Sequence, residues 1–71
     1  MSNVYVYEQG AMLKYKENRL IINYSENDFK SIPIENIDNI VIFGAIQVST
    51  KCVQQMLTRG VKYLQLLNLK D

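Results

Sequence analysis

Seven carboxylates, one cysteine and no histidine set narrow limits on the chemistry this 71-residue chain can carry. Glu26 and Asp28 stand two residues apart across a polar turn, and Glu35 and Asp38 flank a candidate helical turn. A hydrolytic metal site needs carboxylates converging from separate elements around a water. Turn solubility and helix-end electrostatics explain these four more simply. Cys52 as a nucleophile would need a base, and histidine is absent. It falls on an apolar helical stripe and reads as a small buried hydrophobe. Ser49 and Thr50 read as helix caps, whose side-chain oxygens satisfy free backbone N–H groups. Gly44 stands outside any phosphate-loop pattern and reads as a bend. No catalytic residue and no metal site is expected.

The aromatic and basic residues offer more. Tyr5, Tyr7, Tyr15 and Tyr24 fall in one strand-rich region, with Lys14, Lys16 and Arg19 interleaved. Aromatic faces beside cationic side chains suit nucleic acid, through stacking and phosphate contact. Lys14, Lys16 and Arg19 are therefore candidates for DNA contact. The plainer alternative is that the tyrosines fill a half-buried sheet, where β-propensity favours them. A net charge of +1 gives no domain-wide field, so any DNA contact must be local.

These side chains need elements to hold them. Val4 and Val6 alternate with Tyr5 and Tyr7, the period of a strand, and Gln9-Gly10 makes a turn. Leu13 and Tyr15 share one face of a second strand; Met12, Lys14 and Lys16 share the other. After a turn at Asn18, a third strand puts Leu20, Ile22 and Tyr24 on one face. These three strands read as an antiparallel meander. Phe29 to Pro33 reads as a short fourth strand that Pro33 ends or places on an edge. Pro33 to Ile37 fits one helical turn, with proline at its first position.

The segment from Ile37 to Gly60 is the best-defined part. Ile40-Val41-Ile42-Phe43 is apolar on both faces, as a covered central strand would be. A helix over about residues 49–59 follows, with Cys52, Val53, Met56 and Leu57 facing the core and Gly60 closing its end. Lys51, Gln54, Gln55 and Arg59 should be solvated. Val61 to Leu67 reads as a sixth strand or strand pair, and the intervening helix is able to make a right-handed parallel crossover from the fifth. The fold class is α+β, mostly β: a small β-sandwich or mixed sheet of about six strands with one helix packed on it.

A chain this short builds a core worth about 3–5 kcal/mol. The single Cys52 cannot form an internal disulfide, and metal-ligand spacing is absent. Association with another chain is the remaining supplement. No apolar run reaches membrane-spanning length and the N-terminus lacks signal-peptide features, so a cytoplasmic protein with a reduced thiol is expected.

The residues also resemble a known family. Tyr5-Val6-Tyr7-Glu8-Gln9-Gly10-Ala11 is similar to the opening strand and turn of the CRISPR-associated adaptation integrase, protein one of its system. Arg19-Leu20 and Ile32-Pro33-Ile34-Glu35-Asn36-Ile37 follow in the family's order. Ile40-Val41-Ile42-Phe43-Gly44, then Gln47-Val48-Ser49-Thr50, resembles its strand-to-helix passage, and Leu57-Thr58-Arg59-Gly60-Val61 its helix exit. The resemblance spans roughly residues 3 to 64 and weakens over Gln65-Leu66-Leu67-Asn68-Leu69.

It implies the N-terminal β-rich domain of a spacer-acquisition integrase over residues 1–71, with the catalytic helical domain absent. In that family a glutamate, a histidine and an aspartate of the helical domain hold a divalent metal, Mg or Mn. None of those positions matches here, so the chain alone is expected not to be an enzyme and to bind no cofactor. The resemblance further implies a homodimer formed through the β-domain, with a small CRISPR-associated adaptation protein and double-stranded DNA as partners. It makes Tyr7 the candidate for wedging against a duplex end. The alternative is a small structural or protein-interaction domain unrelated to DNA.

Overall fold

A computed structural model describes residues 2–66. Among the described residues seven strands form two sheets, with one α-helix between the last two strands. The strands are β1 (Ser2–Val6), β2 (Met12–Lys16), β3 (Arg19–Ser25), β4 (Asp28–Pro33), β5 (Ile37–Phe43), β6 (Gln47–Val48) and β7 (Lys62–Leu66), and the helix is α1 (Thr50–Thr58). One sheet has the order β1-β5-β7 and the other β4-β3-β2-β6. The α+β, mostly β class stands. The sixth expected strand is β7, and β6 is an addition too short for periodicity to reveal. The expectations for Leu67 and the chain end lie outside the described residues.

The expected meander is corrected. β2, β3 and β4 pair antiparallel in sequence, but β1 leaves them and pairs parallel with β5, Val4 opposite Ile40 and Val6 opposite Ile42. β7 pairs parallel with the other side of β5, so β5 is the central strand. An all-parallel three-stranded sheet therefore packs against a mainly antiparallel one. Alternation fixes which face of a strand is apolar but does not name its partner.

The two sheets share one core. Val6, Ile40 and Ile42 from the parallel sheet cluster with Leu13, Leu20 and Ile22 from the other. Cys52 and Met56 of α1 join them and are fully buried. Leu57 is a second correction: it is 66% exposed, because the helix turns its Cys52–Met56 side inward and Leu57 flanks that stripe at the helix end.

Local chemistry sets the ends of these elements. Ser49 is the N-cap, its Oγ accepting from the Cys52 N–H at 3.1 Å, and Thr50 is the first helical residue. Pro33 occupies the N-cap position of the 3₁₀ turn Ile34–Asn36 without a side-chain hydrogen bond, and so stands one residue before the expected position. At the β2–β3 turn Glu17 and Asn18 both have positive φ, 51° and 65°, as the tight hairpin turns that match strand twist require.

Candidate nucleic-acid and partner interfaces

Register assigns the outward-facing residues of each sheet. On the antiparallel sheet Lys14 lies opposite Ile21, which lies opposite Ser31. The next outward row is Lys16, Arg19 and Pro33. Lys14, Lys16 and Arg19 thus share one exposed face. Arg19 is held there, donating from Nε to Ser31 Oγ at 2.6 Å and from Nη2 to the Ser31 carbonyl at 3.3 Å. Two hydrogen bonds fix the guanidinium and leave N–H groups for an anion.

Tyr7 is placed elsewhere. It follows the end of β1, is 65% exposed, and stacks on Phe43 with ring centroids 4.9 Å apart and planes within 5°. Below the pair, Gln9 Nε2 donates to the Tyr7 and Phe43 carbonyls, each at 3.0 Å. Gly44 makes room for this latch: its φ is +95°, and a Cβ there would lie 2.5 Å from Gln9 Nε2. The structure therefore brings the three cations together and sets Tyr7 on the outer side of the opposite sheet. A shallow cleft joins Tyr5 and Tyr7 to Tyr24 and Lys30, with Glu8 and Asp28 also in its wall. Two carboxylates beside one ammonium make that cleft a poor seat for phosphate.

Two features escape sequence reasoning. Asn18 Oδ1 accepts from Tyr15 Oη at 2.8 Å and from Arg59 Nη2 at 2.6 Å. This ties the hairpin turn to the end of α1, so Arg59 is exposed but engaged. Tyr15 and Arg59 are 44 residues apart, and no local pattern signals the contact.

The second feature is the outward face of the parallel sheet. It carries Tyr5, Val41 and Leu64 in one row, then Phe43 and Leu66 with Tyr7 stacked alongside. Its signal was present: Leu64 and Leu66 alternate with Tyr63 and Gln65 as Tyr5 and Tyr7 alternate with Val4 and Val6.

Burial pushes the Cys52 thiol from its ordinary 9.0 to about 11, which disfavours the reactive thiolate. Burial, then the nearby Cys52, also raises the Tyr63 hydroxyl. Among the described residues no group of three or more His, Cys, Asp and Glu could hold a metal ion. No described helix is long and apolar enough to cross a membrane.

The comparisons with known proteins agree on one family. The model described as "CRISPR associated protein Cas1" matches residues 4–68, beyond Leu64 where the resemblance read from sequence weakens. The chain is 37% identical over 60 residues to "CRISPR-associated endonuclease Cas1 3" of Thermodesulfovibrio yellowstonii, covering 84% of this chain and 18% of that protein. A CAS1 protein from Thermotoga maritima superposes with a TM-score of 0.67 at 29% identity, covering 82% of this chain and 18% of that one. In both comparisons the chain accounts for less than a fifth of the relative's length. Aligned over nearly all its described fold, this chain belongs to the CRISPR-associated Cas1 family.

Proposed function

We propose that this chain is the N-terminal β-rich module of a spacer-acquisition integrase, serving dimerisation and DNA positioning and leaving the metal-dependent chemistry to a helical domain. The observation that carries the reading is the breadth of the match on one side and its narrowness on the other. Nearly the whole chain aligns with proteins of which it forms 18%, one of them called an endonuclease. Lys14, Lys16 and Arg19 supply phosphate contacts from the antiparallel sheet. Tyr7 is the further candidate, for a base or duplex end. The parallel sheet serves association with a second copy, and the assembly meets a small CRISPR-associated adaptation protein and double-stranded DNA in the cytoplasm.

Light scattering tests the first half: a dimer is expected at high micromolar concentration, and a monomer there overturns dimerisation. Duplex binding titrated against salt tests the second. A steep slope is expected from phosphate contacts, and binding insensitive to salt overturns DNA positioning. Metal-dependent cleavage by the purified chain would overturn the assignment of chemistry to another domain. The separation of Tyr7 from the cations favours one second reading, a protein-docking module without DNA contact, which the salt titration also decides.

A further inference from the structure

We propose that the groove around Tyr24 is a docking site for a basic segment of a partner protein, which it holds by arginine side chains. Two shallow hollows of about 290 and 300 Å³ share Tyr24 as a wall. The first opens onto Tyr5, Tyr7, Glu8 and Asp28, the second onto Met12 and Glu26. The site is separate from the cations Lys14, Lys16 and Arg19, and it calls for neither DNA nor a second copy.

A backbone irregularity sets the central ring. β3 and β4 pair Asn23 with Phe29 and then Ser25 with Asp28, which leaves Tyr24 as an extra residue in the ladder. Such a bulge re-aims a side chain and increases the local twist. Tyr24 packs against the core on one side yet lines both hollows at the rim. On the opposite wall, Tyr7 has one ring face on Phe43 and is 65% exposed. The two Gln9 hydrogen bonds fix that strand end in advance, so binding has little to order there.

Charge selects the occupant. Three of the chain's seven carboxylates, Glu8, Glu26 and Asp28, line the hollows against one of its eight cations, Lys30. The groove is thus locally negative in a domain of net charge +1. Phosphate is repelled, and among the described residues these carboxylates form no group that could hold a metal ion. A flat, delocalised cation fits the rings and the carboxylates together. Guanidinium stacks on a tyrosine face while its N–H fork reaches a carboxylate, whereas lysine brings only a point charge. Hollows this open do not enclose a free small molecule. Two sharing a wall suit two side chains of one peptide, the first raising the effective concentration of the second.

Fluorescence anisotropy with a labelled octapeptide carrying two arginines tests this on the 71-residue chain, at about 0.15 M salt so that distant charges are screened. Saturable binding is expected, and replacing arginine by citrulline, which keeps the shape without the charge, should abolish it. Tyr24→Leu and Asp28→Lys should each weaken binding about tenfold, while Tyr24→Phe, which keeps the ring, should not. Lys30→Glu should tighten binding about threefold or more, a gain that no folding defect produces. Lys51→Glu on α1 makes the same change in net charge and should leave binding as it was. Absence of saturable binding, equal binding of the citrulline peptide, or equal tightening by Lys30→Glu and Lys51→Glu would each overturn the site. Spermidine competing as well as the peptide would assign the groove to a free polycation. Loss of self-association in Asp28→Lys would assign it to a second copy, and either result overturns the partner segment.

Discussion

The two sheets bury the same kind of residue inward and present opposite chemistry outward. The antiparallel sheet shows water a cationic face, Lys14, Lys16 and Arg19, and needs no cover, because antiparallel strands tolerate one solvated side. The parallel sheet shows Tyr5, Tyr7, Leu64 and Leu66, groups whose exposure is unfavourable unless something covers them. Overall charge and composition average these faces into an unremarkable domain. Only the sheet topology shows that the cations gather on one outer face and the exposed apolar side chains on the other.

The strongest challenge to the comparison is to ask whether the sheets are one unit. Ile40→Ala in β5 and Leu20→Ala in β3 each empty a fully buried site and should cost about 2–5 kcal/mol, most of this domain's stability. Both should lower one shared thermal transition. Separate transitions for the two variants would break the description of a common core. Next in size is the cationic face. Replacing Lys14, Lys16 and Arg19 together with glutamine should weaken duplex binding tenfold or more and reduce the salt slope by about three. Tyr5→Gln on the other sheet should leave that slope unchanged.

The sheets also differ at their tight corners. Gly44→Ala at the end of β5 should cost about 1–3 kcal/mol in a denaturant titration, since its φ of +95° is strained for alanine and the new Cβ strikes Gln9. Glu17→Gly in the β2–β3 turn should instead gain at most about 1 kcal/mol, because relief of the φ of 51° outweighs, by a small margin, the larger entropy that glycine loses on folding. Cys52, beneath both sheets, gives the smallest effect near neutral pH. Its thiol keeps its proton in the fold to about pH 11 but loses it near 9.0 once unfolded. Its contribution is therefore fully present below pH 9 and should decline between pH 9 and 11, a decline that Cys52→Ser would reduce.

What the sequence made legible was local. Faces of β2 and β3 followed from alternation, the helix ends from Ser49 and Gly60, and the central place of β5 from its two apolar sides. The partner of β1 did not follow, since Asn3 pairs at Asn39 and nothing in residues 2–6 encodes that distance. Leu57 was misplaced because helical periodicity marks a stripe without saying how far the neighbouring sheet extends. The cationic residues were visible, but Tyr7 joined them through proximity in sequence and the family resemblance, neither of which places it in space. The open face went unrecognised because its rows draw one residue each from strands far apart in the chain. Pairing across such distances depends on the assembled topology.

The insertion of the whole β2–β4 antiparallel unit between β1 and its neighbour β5 has a consequence in time. Loop closure over more than thirty residues must precede any β1–β5 pairing, whereas β2 meets β3 across a two-residue turn. On the ribosome β1 emerges ahead of the other six strands yet should acquire its neighbour late, and β7 cannot join before residue 66 has been made. Kinetic φ-values should accordingly be high for Leu13 and Leu20 and close to zero for Val4 and Val6, with the reverse pattern overturning this order. Among these strands β1 then spends the longest part of folding with Tyr5 and its backbone unpaired, as the segment most open to chaperones and to misassociation.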